Sequence, residues 1–179
     1  MSDAETMLAL IRADLGVSIH AADARITAWR NDVTEGRLDA GVLADTALLL
    51  LETLGEADAW LDMSAAGILV ELGEPRHLDR LRAARPRLRP RVAMRDWRFE
   101  VDRAIAVITA RASGCDCTAE AAHGAPPHDD RRWQIEEQLP DKEPYQTTSI
   151  VRCRRCGKRW RVIEDDSYHY PTFRWSQAG

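Results

Sequence analysis

Lysine is almost absent from this chain. Of its 25 basic residues only Lys142 and Lys158 are lysines; the rest are arginine, the usage of a GC-rich bacterial genome. No run of about 18 apolar residues occurs, so no segment reads as a membrane-spanning helix. The opening stretch MSDAETMLALIRADLG carries acids where a secretory signal needs a basic region. The expectation is a protein of a reducing cytoplasm, where clustered cysteines more often bind metal than form disulfides. A Gly-rich phosphate loop and a G-x-S-x-G elbow are missing. So is the His-x-Glu and P-C-x-x-C pair that marks zinc deaminases. Cysteine itself is scarce, at four residues in 179.

What is present suffices for a core, since 45% of the chain is hydrophobic. Charge is uneven. Residues 1–75 carry a net of −10, residues 76–111 a net of +7 and the remainder a net of −1. Acidic and arginine-rich blocks of this kind can pack beside one another or mark a binding surface.

The first 111 residues have helical periodicity. Residues 3–15 place Met7, Leu8, Leu10, Ile11 and Leu15 on a stripe, and residues 19–35 continue with Ile19, Ala22, Ile26, Trp29 and Val33. Asp39 can cap a third helix, AGVLADTALLLLETL, apolar on most sides and expected to be the most buried. A fourth helix ends at Gly73, Pro75 starts a short fifth, and a sixth covers RVAMRDWRFEVDRAIAVITARA. The stretch ILVELGEPRHLDRLRAA is similar to the turn and second helix of a HEAT-type repeat. It occurs once, and stacked repeats need about three copies, so the expectation is an irregular helical bundle over residues 1–112.

At Ser113 the period changes to two. RRWQIEEQL alternates through Trp133, Ile135 and Glu137. YQTTSIVRC, KRWRVIED and PTFRWS read as further short strands. The expected class is α+β: helices over residues 1–112, then a small antiparallel sheet over residues 113–179.

The four cysteines fall in two pairs. In CRRCG, Cys153, Cys156 and Gly157 form a turn whose backbone N–H groups can stabilise thiolate sulfur, with glycine supplying a left-handed residue. Trp160 follows and can cover a metal. In SGCDC, Cys115 and Cys117 lie one residue apart, which lets both sulfurs reach one ion from an extended or kinked backbone. The knuckle CRRCGKRW with a strand on each side resembles zinc-ribbon modules, over at most the last 65 or so residues. The departure is CDC where a ribbon has a second C-x-x-C. Four cysteine ligands to one Zn2+ is the leading reading. Three cysteines with His123, His128 or His169 is the alternative, and two disulfides the third. Four thiolates leave no position for water, so such a zinc is structural.

Other candidates carry two readings each. Tyr168, Tyr170, Phe173 and Trp175 either pack the sheet onto helices or form a partner surface. Glu164, Asp165 and Asp166 read as a solvated acidic turn before a catalytic cluster. His20 and His77 read as surface or helix-end residues. The functional expectation is a non-enzymatic protein-binding module. Its profile is similar to small bacterial immunity proteins that neutralise toxins, without a shared motif. An acidic helical face (Glu35, Asp39, Asp45, Glu52, Glu56, Asp58, Asp62, Glu71, Glu74) would suit a basic toxin. The runner-up is a nucleic-acid-binding regulator using Arg152, Arg154, Arg155, Lys158, Arg159 and Arg161, with the arginines from Arg76 to Arg98. A metalloenzyme with three thiolates and an open zinc position is the third.

Overall fold

A computed structural model describes residues 2–53, 59–87, 97–128, 131–139, 143–167 and 171–179. The class is α+β, with helices leading and a four-stranded antiparallel sheet following. The chain divides into two compact units, Met1–Ala112 and Ser113–Gly179.

In the first unit, α1 (Asp3–Leu15) is opened by a capping box, Ser2 and Glu5 satisfying one another's backbone N–H. It buries Ala4, Met7, Leu8 and Ile11. Leu10, expected on that stripe, is 42% exposed, because a residue three places from Met7 and one before Ile11 sits at the stripe's margin. α2 (Ile19–Thr34) is capped by Ser18. α3 (Ala40–Thr53) buries Leu43, Ala44, Thr46, Ala47, Leu48, Leu50 and Leu51 and packs on α1, α2, α4 and α5. It is the central helix because nearly every face is apolar. Asp39 accepts from the Val42 N–H as its cap.

α4 (Ala59–Leu72) ends at Gly73, where a Cβ would stand 2.3 Å from the Leu69 carbonyl oxygen and 2.5 Å from Ile108. Only glycine lets α6 (Trp97–Ser113) approach there. Arg111 of α6 then donates to the carbonyls of Val70 (2.6 Å), Gly73 (3.1 Å) and Glu71 (3.2 Å). These are the orphan acceptors of a helix C-terminus, and a guanidinium there also complements the dipole. The part of the sixth helix expected before Trp97 lies outside the described residues.

A 3-10 turn (Pro75–His77) leads into α5 (Leu78–Ala84). His77, expected at the surface or at a helix end, sits at the junction of the 3-10 turn and α5 and is 1% exposed. Its Nδ1 accepts from the Glu74 N–H at 2.8 Å and its Nε2–H donates to Asp45 at 2.9 Å, so both ring nitrogens are engaged. Arg76 joins Asp45 and Glu74, and Arg80 grips Glu52. Arg30 pairs with Glu71, and Arg37 with Asp32 and Glu35. Much of the acidic face is thus met by arginines of the same unit. Glu56 and Asp58 lie outside the described residues.

In the second unit, α7 (Cys117–Ala122) precedes β1 (Trp133–Leu139), β2 (Gln146–Cys153), β3 (Arg159–Asp165) and β4 (Thr172–Gln177), in the order β1-β2-β3-β4. Trp133 faces Cys153, Val151 faces Trp160, and Val162 faces Trp175. These residues line one face, where a buried cluster unites Cys117, Ala121, Trp133, Val151, Cys153, Trp160 and Val162. The expected alternation through Glu137 fails. A bulge between Ile135 and Glu137 inserts Glu136, so Glu137 opposes Ile150 on the other face. Glu136 then accepts from Arg152 (2.5 Å) and Arg159 (2.8 Å), which neighbour each other across β2 and β3.

Phe173 and Trp175 pack against the buried cluster of their own unit. Trp175 lies 4.8 Å from Trp133 and 6.1 Å from Trp160, ring centre to ring centre, and its indole N–H donates to the Ala125 carbonyl. Tyr168, His169 and Tyr170 lie outside the described residues.

Candidate metal centre

The knuckle is a tight turn closed by two backbone bonds, Cys153 N–H to the Lys158 carbonyl at 2.8 Å and Gly157 N–H to the Cys153 carbonyl at 2.9 Å. Gly157 has φ of 74°, the left-handed conformation that a side chain resists. A Cβ there would meet nothing within 4 Å, so conformation alone requires the glycine. The turn ends β2 and begins β3, which sets Cys153 in the core and leaves Cys156 exposed.

Cys115 and Cys117 sit at the start of α7. The backbone is neither extended nor a loop beyond Cys117, because that residue opens a six-residue helix. Asp116 precedes it without capping it. Instead, Asp116 and Glu120, four residues apart and so on one helical face, both pair with Arg132. These acids are 5% and 2% exposed. The Arg132 carbonyl also accepts from the Arg154 N–H at 3.0 Å. One residue therefore ties α7 to the knuckle. The i,i+4 acids after the first cysteine were the only mark of this arrangement in the sequence.

The four sulfurs lie within 4.8 Å of one another. Cys115 and Cys153 are 3.4 Å apart, and Cys117 and Cys156 are 3.5 Å apart. Zn–S bonds of about 2.3 Å in a tetrahedron put sulfurs about 3.8 Å apart, so the spacing fits a metal. A disulfide needs about 2.05 Å, and all four residues are free thiols. Among the described residues this is the one such cluster of His, Cys, Asp and Glu.

Electrostatics agree with the fit. Burial pushes the Cys117 thiol far up, helped by the neighbouring sulfurs of Cys156 and Cys115, and burial likewise raises Cys115. The Cys117 N–H donates to the Cys115 sulfur and offsets part of that. At Cys156 burial also opposes ionisation, but the Lys158 N–H and the sulfurs of Cys115, Cys117 and Cys153 outweigh it and bring the thiol down to about 7. Four sulfurs held this close, two of them buried, cannot all ionise without a cation among them, and a divalent ion reverses that balance. The Trp160 indole N–H, in the same buried cluster, is the one buried side-chain polar atom with no partner among the described residues. An unmatched donor is compatible with a centre that carries excess negative charge.

The two described histidine alternatives are not part of this cluster. His123 Nδ1 is 2.9 Å from the Ala119 carbonyl oxygen, and His128 is 3.5 Å from Glu164 with its ring edge-on to Phe173. His169 lies outside the described residues. Around the knuckle, Arg152 and Arg159 are held by Glu136 and Lys158 reaches Thr118, while Arg154, Arg155 and Arg161 are exposed. No described helix is long and apolar enough to cross a membrane. Comparison with protein-family models, curated proteins and solved structures gave no match.

Proposed function

We propose that Cys115, Cys117, Cys153 and Cys156 hold one structural Zn2+, and that the protein works by binding another protein and not by catalysis. The observation that carries the metal reading is the approach of all four sulfurs within 4.8 Å. A soft, tetrahedral S4 donor set selects zinc or iron. Bound there, zinc supplies folding energy, since no coordination position remains for water. The chain's part is to present two sulfurs from the core, to stabilise two more by backbone N–H groups, and to lock the pairs together through Arg132.

Charge supports a protein partner over nucleic acid. Glu136 holds two of the six cations around the knuckle, and Arg76 of the 3-10 turn and Arg80 of α5 face Asp45 and Glu52 of α3. Exposed Tyr145 (73%) and Ile135 (47%) are apolar anchors of the kind interfaces use. A basic toxin is the partner to test first within this reading. The acids left free for it are fewer than the sequence offers, because Asp45, Glu52, Glu71 and Glu74 already have arginine partners. Nucleic acid is the second reading, favoured by Arg154 and Arg155, which are exposed and form no ion pair among the described residues.

Metal analysis of purified protein tests the first claim: about one zinc per chain is expected. A red iron-loaded protein, or a folded metal-free one, would overturn it. Binding to duplex DNA and single-stranded RNA at low and moderate salt tests the second. Tight binding with a steep salt slope, lost on changing Arg154 and Arg155 to Ala, would replace the protein-binding reading with the nucleic-acid one.

A further inference from the structure

The four sulfurs are not equivalent. Cys117 and Cys153 are buried, Cys115 is half-buried and Cys156 is exposed. The two direct contacts both join the α7 side to the knuckle side: Cys117 to Cys156 at 3.5 Å and Cys115 to Cys153 at 3.4 Å. Each pairs an accessible sulfur with a buried one. Metal-bound sulfur is already thiolate, the reactive form. We propose that the centre is a site of oxidative modification, in which a two-electron oxidant such as hydrogen peroxide attacks Cys156 first and drives formation of Cys117–Cys156 and Cys115–Cys153 disulfides with release of the metal.

The chemistry balances. The Cys156 thiolate attacks one peroxide oxygen; the S–O bond forms, the O–O bond breaks, and the departing hydroxide takes a proton to become water. Sulfur is oxidised to sulfenic acid and peroxide is reduced. The Cys117 thiolate, already in contact, attacks the Cys156 sulfur. The S–S bond forms, the S–O bond breaks, and the departing hydroxide takes a proton from solvent and leaves as a second water. Two ligands are then lost to the metal, which departs. A second peroxide converts Cys115 and Cys153 in the same way, with Cys115 attacked first as the more accessible sulfur. The sulfurs must close from 3.4 and 3.5 Å to the disulfide distance, a movement of about 1.4 Å. Both cross-links span the contact between α7 and the knuckle that the metal spans. The oxidised unit is therefore stapled in the same place by covalent bonds.

The inference rests on the zinc reading for what is released, but not for which sulfurs pair. The full-length protein, as purified and after zinc removal under reducing conditions, is treated with limiting hydrogen peroxide. Zinc release is followed with a colorimetric chelator, sulfenic acid is trapped with a 1,3-dione, and disulfides are mapped by peptide mass spectrometry. The expected result is a first adduct at Cys156, then the two cross-element disulfides in both samples. Predominant Cys153–Cys156 or Cys115–Cys117 linkage, or a first adduct at a buried cysteine, overturns the proposal. A protein that carries no zinc as purified sinks the metal reading alone, and the disulfide map still decides this one.

Discussion

The two units bury their interiors by different means. The helical unit closes on aliphatic side chains: Ile11, Leu43, Leu48, Leu50, Leu61, Ile68, Leu69, Leu81 and Ile108 are all fully buried. The sheet unit has a seven-residue cluster, and two of the seven are the cysteines Cys117 and Cys153. Full burial of a large aliphatic residue is worth roughly 1.5–3 kcal/mol, so the first unit has many such contributions and the second few. A four-stranded sheet with so little apolar content is the kind of domain that needs a staple. In the sheet unit two of the four proposed metal ligands are part of the core.

Removing the staple should separate the units most sharply. Structural zinc contributes on the order of 10–16 kcal/mol in small domains. Chelation, or Cys153→Ser, should abolish tertiary order in residues 115–179 while helical content survives. Circular dichroism with amide exchange resolved by residue checks this; simultaneous collapse of the helices would mean that one core serves both. Next in size is Arg132→Ala. Taking a guanidinium from two buried carboxylates costs about 3–5 kcal/mol, and the loss should appear as weaker zinc retention against a competing chelator. In the opposite sense, Leu48→Ala should cost about 2–5 kcal/mol in denaturant melts of the helices, with the zinc content unchanged.

Acid should distinguish the units too. Protons compete with zinc for thiolates, so the sheet unit should lose metal as the pH falls. In the helical unit, hydrogen bonding to Arg25 holds the Asp14 carboxyl below its ordinary 3.8. A depressed carboxyl contributes stability that is complete above the ordinary value and lost as pH falls through the lower folded one. Asp14→Asn should therefore shift the helical melting temperature slightly at neutral pH, and the difference from the parent should vanish in strong acid. Smallest among the knuckle changes, Gly157→Ala should cost about 1–2 kcal/mol from its left-handed backbone, with one zinc still bound.

The legible parts of the chain were those with a local signal. Helical periodicity marks α1 to α4, and Asp39 and Gly73 mark two of their ends where the structure has them. The C-x-x-C-G turn places Cys153, Cys156 and Gly157 because its geometry is complete within five residues. What stayed hidden depends on distant partners. His77 is buried because Asp45 stands 32 positions away, and nothing near His77 says so. α7 has six residues, too short for a periodic pattern and marginal as an isolated helix. Its place is held by Arg132, twelve residues beyond Glu120. The bulge at Glu136 defeats strict alternation because a period of two assumes no inserted residue.

That inserted residue also bears on how these molecules behave at high concentration. β1 is an outer strand of an open sheet, and an outer strand presents unpaired backbone groups that another chain can join. Here the strand is kinked in its middle by the bulge, and its exposed stretch from Gln134 to Gln138 includes Glu136 and Glu137 side by side. A second copy laid alongside would meet a broken ladder and the exposed Glu137 carboxylate. The irregularity that hid the register from the sequence thus discourages strand-to-strand polymerisation along that border.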